Sequence, residues 1–539
     1  MRHEAWVAGR VVNALRHGSL LGGSVVVLLL AGALSIAVGT ALRLANFTDV
    51  GYPDSAVLLR IGEVVRTGYI YPDFNRPPYA VTIYGPLTYV LLAIPYRLAQ
   101  TVGINPQVLV RLGIVGALCL CVLLIFLISR RLYSSRQIAW LCALFAVSAL
   151  PMANWTTQIR GDFLALGFSL LSVYLFLLTN GRPQAIGAAI SAGIALLVKQ
   201  TFLAVPIAII SWLIYRRRYK EAVFWATGFV LTVVGGYAIA WWREPLMLKH
   251  IAALRHPVLE YRNALGILWN AVSQPVVPLA AIGGFLALWK RAPERLLFLI
   301  YCIVAWLVAI LTIPQVGGSI NYFWEPLLAS AVLAGPGLCE LQRKANRTPI
   351  FVTAMLFVLL LRSFLPILLH DLSYLRQCYR EVSDYQVRKT KWESFVSIVS
   401  GRRLLSTFPA VTFHSMIPEI PDPYLNSELE LRGLWNSGPV VAQIDGGMYD
   451  LIVIRRGEAD DLQSYRGVRF WRYRGVRFWS DGIWGALKRR YELACVFEDM
   501  EVWLPRRGSG EILPNLSAIG CLAAAKQVGS GSAVGSQAQ

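Results

Sequence analysis

Long apolar stretches separated by short polar segments fill the first 370 residues of the chain. About eleven of them approach the length of a membrane-spanning helix, which needs roughly 20 apolar residues. They fall at about 20–45, 107–128, 138–156, 162–179, 184–198, 200–215, 221–242, 275–290, 296–314, 322–340 and 349–370. The pattern predicts a mainly α-helical, polytopic membrane protein with a transmembrane domain over 20–370.

Six clusters of basic residues lie between these stretches and predict the orientation. They contain Arg2/Arg10/Arg16, Arg130/Arg131/Arg136, Arg182, Arg216–Arg218 with Lys220, Lys290/Arg291/Arg295 and Arg343/Lys344/Arg347. With about eleven spans and a cytoplasmic N-terminus (1–19), all six lie on the cytoplasmic side, as the positive-inside rule expects. A further apolar stretch at 84–100 would reverse this order if it crossed. We therefore expect it to be an interfacial or re-entrant helix on the outer face.

The first outer segment, 46–106, also contains an amphipathic pattern. One stripe is apolar and the opposite stripe is charged: Val57, Leu58, Ile61, Val64 and Val65 against Arg60, Glu63 and Arg66. Such a helix is typical of the headgroup plane of a bilayer, with its apolar face toward the lipid. We therefore expect this outer loop to hold interfacial helices.

The pattern changes after residue 370. Three stretches, 401–418, 438–457 and 491–507, resemble short strands separated by turns and helices. They predict a small extracytoplasmic α/β domain over 371–507. Residues 508–539 end in the small, polar run VGSGSAVGSQAQ, which is typical of a disordered tail.

Composition supports the membrane assignment and excludes other classes. Hydrophobic residues make up 56% of the chain, charged residues only 15%, and the mean hydropathy is +0.53. A soluble protein could not bury so much apolar surface. The formal charge of +20 is spread over the short clusters between spans, so it indicates orientation and not nucleic-acid binding.

Neither the cysteines nor the histidines form a metal motif. None of the eight cysteines has the spacing of a metal site, although Cys378 and Cys495 fall in the C-terminal part and could form a disulfide. His250 and His256 lack a carboxylate at ligand spacing. The sequence therefore predicts no metal ligands and leaves open whether a divalent cation takes part.

A tandem repeat, YRGVRFWR followed by YRGVRFWS, occupies 465–480. It fits a local duplication that lengthens a loop. It also fits a ridge of arginine and aromatic side chains on anionic headgroups. No chemistry is assigned to it.

Acidic residues at the outer face are the first candidates for chemistry. Those near a span mouth are Asp49, Asp54, Asp73, Asp162, Glu244, Glu260 and Glu325. Asp54 starts the amphipathic helix and Asp162 starts a span. Each could simply cap its helix, and Asp162 could pair with Arg160. Two carboxylates at one membrane depth also suit a base and its helper.

Cationic residues near the same face are the second candidates. Lys199 interrupts two apolar runs in GIALLVKQTFLAVP, and LKHIAALRHPVLEYRN adds His250, Arg255 and His256. Lys199 could be a lysine that extends to the surface from a tight loop. Gathered around an outer cavity, these cations would instead suit a lipid-linked phosphate.

Several motifs, in order over roughly 20–370, resemble the GT-C membrane glycosyltransferases. In the first outer loop they are the acid Asp54, GYIYPD (68–73) and the P-P-Y…Y-x-P-L stretch at 77–87. Further along they are IRGDFLALGFSLL (159–171), LLVKQTFLAVP (196–206) and GGSINYFWEPLLA (317–329). This superfamily includes protein O-mannosyltransferases and aminoarabinose transferases of lipid A. The resemblance departs at one point, because the usual Asp-Glu pair is Asp54-Ser55 here, which casts doubt on a metal site that needs the second acid.

The resemblance implies an enzyme that transfers a sugar from a polyprenyl-phosphate donor to an acceptor hydroxyl, with inversion at the anomeric carbon. The acceptor would be a glycan, lipid or protein. Asp54 would be the catalytic base and Asp162 a second catalytic acid. Lys199 would contact the donor phosphate, together with Arg255 and His256 by their position. Tyr84, Asn321 and Tyr322 would form the cavity wall. The implied location is the bacterial inner membrane.

Three other functions fit parts of the sequence. A transporter or flippase of lipid-linked sugars would need no chemistry, but it would predict inverted repeats and interrupted spans at mid-membrane depth. A glycan ligase or polymerase would place its key residues in one large late outer loop. A scaffold for the C-terminal domain explains neither Asp54 and Asp162 nor the order of the motifs.

Overall fold

In the computed structural model, the described residues are 20–44, 46, 54–148, 155–178, 182–254, 261–290, 293–314, 318–345, 350–416, 419–456, 479–498, 500–506 and 512–523. They divide between two compact units. The first unit comprises Met1–Asn46, Tyr84–Arg243 and Pro257–Glu381. The second comprises Phe47–Ile83, Glu244–His256 and Val382–Gln539.

The described part of the first unit is helical. Its helices are α1 (Leu20–Leu44), α3 (Pro86–Val102), α4 (Pro106–Tyr133), α5 (Arg136–Ser148), α6 (Asp162–Leu177), α7 (Arg182–Val198), α8 (Ala204–Tyr215), α9 (Tyr219–Arg243), α11 (Tyr261–Val272), α12 (Val276–Lys290), α13 (Pro293–Thr312), α14 (Trp324–Ala345) and α15 (Ile350–Ser383). A 3₁₀ turn, Ile320–Phe323, precedes α14. Proline and a capping side chain start α4, where Pro106 takes the first helical position and the Asn105 side chain accepts the Gln107 amide at 2.9 Å.

Every apolar stretch predicted to cross the membrane contains a helix, but the helices differ in length. Among the described residues, α1, α4, α9 and α13 are long and apolar enough to span a bilayer. Ala264–Val272 and Val276–Trp289, which meet at a 64° bend, could supply a fifth span. The 12 residues of α8 extend only about 18 Å, against a hydrocarbon core of about 30 Å. The number of spans, eleven, therefore stays a prediction.

The second unit is built on a sheet. Its helices are α2 (Asp54–Thr67), α10 (Met247–Leu254), α16 (Tyr385–Val399), α17 (Pro409–Thr412), α18 (Pro423–Leu431), α19 (Gly438–Asp445), α20 (Asp481–Arg490) and α21 (Ile512–Ala518). Its strands are β1 (Leu404–Ser406), β2 (Leu451–Arg455), β3 (Tyr491–Phe497), β4 (Met500–Pro505) and β5 (Leu522–Ala523). Strands β1 to β4 lie within the three stretches that the sequence predicts to contain them.

The sheet has the order β1-β2-β4-β3-β5, with β1 and β2 parallel and the other neighbours antiparallel. One of its core clusters includes Phe74, Tyr79 and Val81 from the first outer loop. The Asn426 side chain donates to the Tyr79 carbonyl at 2.9 Å, and the Ile420 amide donates to the Pro78 carbonyl at the same distance. Part of segment 46–106, the predicted first outer loop, therefore completes the hydrophobic core of the C-terminal domain.

The structure corrects four expectations, and the first two concern the end of the chain and its disulfide. Residues 512–523, placed in a disordered tail, form α21 and β5 because Ile512, Leu516 and Cys521 are buried. Cys495 bonds Cys521, so the proposed Cys378–Cys495 pair is wrong. The free thiol of Cys378 lies in the first unit.

The third correction concerns α2. The apolar stripe predicted to face the headgroups is mostly buried within the protein, through Val57, Leu58, Ile61 and Val64. Arg60, on the supposed polar face, is also only 8% exposed. The fourth correction concerns the domain boundary. Residue 371, the predicted start of the C-terminal domain, lies inside the continuous helix α15.

Candidate active site

Two close backbone approaches in the first unit position Asp162 and Lys199. A Cβ atom at Gly85 would lie 2.1 Å from the Leu197 carbonyl oxygen, and one at Gly161 would lie 2.6 Å from Thr88 Oγ1. Only glycine allows these contacts without displacing a neighbour. The Gly85 amide and Thr88 Oγ1 both donate to the carbonyl of Val198, at 3.0 and 2.8 Å. The start of α3 is thereby fastened to the end of α7, one residue before Lys199.

A buried hydrogen-bonded network joins three of the predicted site residues. Lys199 Nζ donates to Asp162 Oδ1, and Asn321 Nδ2 donates to the same oxygen at 2.8 Å. The exposed fractions are 2% for Asp162, 7% for Lys199 and 8% for Asn321. The predictions that Asp162, Lys199 and Asn321 share one site are consistent with this geometry.

Two acceptor oxygens in this network lack a hydrogen bond. Asp162 Oδ2 and Asn321 Oδ1 are buried and find no partner among the described residues. A buried acceptor without a donor costs roughly 1–3 kcal/mol. The network is therefore incomplete by itself and offers two acceptors to a bound molecule that carries hydroxyl or amine donors.

Aromatic side chains hold the 3₁₀ turn against α6. The Trp324 ring stacks on Phe163 with centroids 4.7 Å apart, and Trp155 meets Trp324 edge-on at 5.3 Å. The Arg160 guanidinium lies 4.4 Å from the Trp155 centroid. Next to the network, Lys199 Nζ lies 4.8 Å from the Tyr322 ring centroid, within cation–π range. Tyr322, predicted at the cavity wall, therefore contacts the same ammonium as Asp162.

A small cavity of about 20 Å³ adjoins the network. Its wall contains Lys199, Asn321, Tyr322 and Glu325, and the remaining lining residues come from 201–202 and from α13. Such a volume holds a water molecule but no sugar. Tyr84, the other predicted wall residue, is buried in the first unit and is not part of this lining.

Glu325 is a participant that the sequence analysis included only among the outer acids. Its carboxyl is 6% exposed and accepts hydrogen bonds from Ser169 Oγ at 2.7 Å and Tyr301 Oη at 3.1 Å. The signal available in the sequence was an acid followed by proline within an apolar run. Ser169 and Tyr301 gave no such signal, because hydroxyl residues are common in apolar helices.

The predicted base, Asp54, belongs to the second unit. It is the first residue of α2 and is fully buried. A carboxylate in the first turn is favoured by the partial positive charge of a helix N-terminus. Its role as base or as helix cap stays a prediction.

His250, in the same unit, holds two loop segments together. Its Nδ1 accepts the Thr82 amide at 3.1 Å, so Nε2 carries the proton that reaches the Pro72 carbonyl at 2.6 Å. Burial lowers the pKa of the imidazole to about 4, although the bond to Pro72 opposes the shift. His250 is therefore a neutral structural residue.

Arg255 and His256 lie outside the described residues, as do positions 465–478 of the tandem repeat. Within the described part of the chain, no three His, Cys, Asp or Glu side chains are grouped so that they could hold a metal ion. The question of a divalent cation thus receives no support from a ligand set there.

The family model for dolichyl-phosphate-mannose-protein mannosyltransferases matches residues 85–242, a range that contains Asp162 and Lys199. Among solved structures, ArnT from Cupriavidus metallidurans in the apo state is 13% identical, with a TM-score of 0.58 over 93% of this chain and 99% of ArnT. This chain has a GT-C fold. The same ArnT bound to undecaprenyl phosphate is 14% identical, with a TM-score of 0.55 over 89% of this chain and 98% of ArnT.

The comparisons confirm the resemblance to GT-C glycosyltransferases that the motifs predict. They also support a mainly helical, multi-pass membrane protein. A search of curated protein sequences finds no match. The GT-C fold extends over nearly the whole chain, including the second unit, whereas the family model stops before residue 243.

Proposed function

We propose that the protein is an integral-membrane glycosyltransferase that moves a sugar from a polyprenyl-phosphate donor to an acceptor hydroxyl. The observation that carries this proposal is the buried Lys199–Asp162–Asn321 network within a GT-C fold. The description of the matching family names a lipid-phosphate sugar donor, and one ArnT structure contains undecaprenyl phosphate. Both facts support a donor of that class here.

The network has the groups that such a donor needs. A buried lysine ammonium among apolar helices costs free energy, and such residues usually occur where they bind an anion or take part in proton transfer. Lys199, with Arg160 close enough to interact electrostatically with Asp162, would stabilise the departing phosphate. The unpaired oxygens of Asp162 and Asn321 would accept hydrogen bonds from sugar hydroxyls, which removes their desolvation cost.

Asp54 is proposed as the general base. The acceptor hydroxyl would lose its proton to Asp54 as its oxygen attacks the anomeric carbon, and the phosphate would leave from the opposite face. This displacement inverts the anomeric centre. Base catalysis of this kind is typically worth about 10²–10⁴-fold. The support for Asp54 is its buried position at the start of α2 and the resemblance of the first outer loop.

Arg255 and His256 stay proposed contacts of the donor phosphate, on the basis of their position beside α10. The proposed acceptor is a glycan, lipid or protein at the cell envelope. No observation favours one of the three.

The proposed location is the bacterial inner membrane, with the N-terminus in the cytoplasm and the C-terminal domain outside. The basic clusters support this orientation. The bond between Cys495 and Cys521 adds support, because stable disulfides form in oxidising compartments such as the periplasm.

The test is turnover of a panel of polyprenyl-phosphate sugars by the purified protein, followed as loss of donor with and without candidate acceptors. Wild type would be compared with Asp54→Asn and Asp162→Asn. Asp445→Asn is the matched control, since Asp445 pairs with Arg489 on the surface of the C-terminal domain. We expect one donor to be consumed by wild type and control, and about 10²–10⁴-fold more slowly by Asp54→Asn.

The proposal predicts that the Asp54 variant still binds the donor, because a base acts on the acceptor. If wild type and both variants bind a lipid-linked sugar and none of the three consumes it, a transporter of these lipids would be favoured instead. Equal turnover by wild type and Asp54→Asn would remove Asp54 as base.

A further inference from the structure

The carboxyl group of Glu325 is buried and forms no ion pair with any described residue. It lies in the first turn of α14 and accepts hydrogen bonds only from hydroxyl groups, those of Ser169 and Tyr301. Both bonds reach Oε1. A buried, unpaired carboxylate is costly, so a further negative charge brought close to it would favour its protonation.

The second oxygen of Glu325 is placed to meet a ligand. No hydrogen bond from the described residues reaches Oε2, and the carboxyl lines the same 20 Å³ cavity as Lys199. A cavity of this volume can hold a water molecule. Lys199 and Glu325 therefore face one small space in which a bound anion would adjoin both side chains.

The charges at the cavity and in the network behind it balance only while no anion is bound. Glu325 and Lys199 line the cavity, and Asp162 pairs with Lys199 and interacts electrostatically with Arg160, so two negative charges face two positive ones. A phosphodiester at Lys199 would add one uncompensated negative charge. In an interior of low dielectric constant an uncompensated charge is much more costly than in water. Protonation of Glu325 would restore neutrality.

We propose that Glu325 takes up one proton when a phosphodiester lipid binds at Lys199, so that donor binding is linked to pH. The inference rests on the proposed function and extends it. The proton comes from solvent and adds to Oε2, while Ser169 and Tyr301 continue to donate to Oε1. The new O–H group then donates a hydrogen bond to water or to a ligand oxygen in the cavity. The ionised carboxylate would instead repel a negatively charged ligand oxygen.

Other titratable groups around α14 do not offer the same exchange. Those near Glu325 among the described residues are Tyr301 and Cys302 of α13, Tyr322 of the 3₁₀ turn, and Lys199 with Asp162 behind it. On the other helices packed against α14, Cys142 Sγ donates to the Val332 carbonyl, Arg43 pairs with Glu381, and Arg111 donates to the Asn46 carbonyl. The described side chains of α12 carry no acid or base. Glu325 is the acid that adjoins both Lys199 and the cavity.

The probe is an undecaprenyl methyl phosphate, a phosphodiester that keeps one negative charge throughout the pH range. Its dissociation constant would be measured from pH 6 to 9 with wild type, Glu325→Gln and Glu340→Gln. The glutamine in the first variant keeps an oxygen that can accept from Ser169 and Tyr301, but its side chain does not titrate. Glu340 is a matched control on the same helix, where it pairs with Arg343 at the surface.

We expect wild-type affinity to fall as pH rises, approaching tenfold per unit where free Glu325 is ionised. Glu340→Gln should follow wild type. Glu325→Gln should show a much flatter profile and bind more tightly than wild type at pH 9. Equal slopes for wild type and Glu325→Gln, or a flat wild-type profile, would overturn the inference while leaving the proposed function standing.

A second measurement needs no variant. In weak buffer near neutral pH, addition of the phosphodiester to wild type should remove up to one proton from solution for each lipid bound. If the lipid binds and no proton uptake is detected anywhere between pH 6 and pH 9, the inference is overturned. If wild type binds neither this lipid nor any polyprenyl-phosphate sugar, the proposed function is overturned, and the inference with it.

Discussion

Each unit of this protein contains a lysine–aspartate pair, and the two pairs have opposite environments. Lys199 and Asp162 in the first unit expose 9% and 2% of their side chains, whereas Lys249 and Asp73 in the second expose 42% and 31%. The second pair is separated by 3.3 Å and is open to solvent. In the first pair, the carboxylate also accepts a hydrogen bond from Asn321, and the ammonium lies against the Tyr322 ring.

The difference in solvent exposure distinguishes a surface ion pair from a candidate binding site. An exposed pair costs little to form and contributes about 0–1 kcal/mol. A buried pair must recover a desolvation penalty of several kcal/mol for each ion, and apolar replacements are often as stable. Stability alone therefore does not explain the Lys199–Asp162 pair, whereas the proposed binding of an anionic ligand would.

The largest expected effect comes from removing one member of the buried pair. Asp162→Asn or Lys199→Met should each destabilise the first unit by about 3–5 kcal/mol, since each leaves a buried charge alone. The double variant should recover most of this loss. Unfolding of the purified protein in detergent would measure all three. Single and double variants within about 1 kcal/mol of wild type would mean that the pair is solvated, and the comparison would fail.

A smaller effect should follow from His250, a buried base that stays neutral. Its folded pKa of about 4 lies below the ordinary value of 6.5, so the unfolded chain binds the proton first as pH falls. Stability from this group is complete above pH 6.5 and declines toward pH 4, by at most about 3 kcal/mol in total. The unfolding midpoint of the second unit, followed from pH 7.5 to 4.5, should show this decline.

The matched comparison is His250→Gln, which keeps one donor and one acceptor but does not titrate. It should lose the acid-sensitive part of the stability, while His370→Gln, at an exposed histidine, should keep it. A profile for His250→Gln that parallels wild type would show that other groups cause the acid sensitivity.

The smallest effect is expected at the exposed pair. Asp73→Asn should cost less than about 1 kcal/mol, and added salt should reduce the loss further because the charges are screened. The backbone bond from the Asn75 amide at 3.1 Å contributes most to the lowered pKa of Asp73, so part of the small loss would reflect that turn. Unfolding at low and high salt would distinguish the two contributions. A loss as large as that of Asp162→Asn would erase the contrast between the pairs.

Hydropathy predicts the helices of the first unit well but not their lengths. The apolar run of α4 has polar residues at both ends and its limits are clear, whereas α8 joins α7 through the short segment around Lys199. The hydropathy averaged over a window of about 20 residues differs little between one full span and two half-length helices. Tertiary packing decides between them, and this packing is what places Lys199 beside Asp162.

The site was predictable where a charge interrupts an apolar run. Asp162 and Lys199 stand out in this way, whereas Asn321 was predicted only through the resemblance, and the structure brings the three together. Glu325 was visible as an outer acid, but its partners Ser169 and Tyr301 come from two other helices, and no local pattern encodes that contact. Cys521 was missed as the partner of Cys495 because the run after 507 resembles a flexible tail when it is considered without the sheet.

The glycines at 85 and 161 have a consequence for how such a protein can diversify. Gly85 closely approaches a main-chain carbonyl and Gly161 the Thr88 side chain, and both contacts leave no room for an added Cβ atom. Substitutions there would disturb the placement of Asp162 and Lys199, so under the proposed function they offer no route to a new sugar preference. The 3₁₀ turn at 320–323 contains no glycine and presents Asn321 and Tyr322 to the cavity. Under the proposed function, new specificities are therefore best sought in that turn.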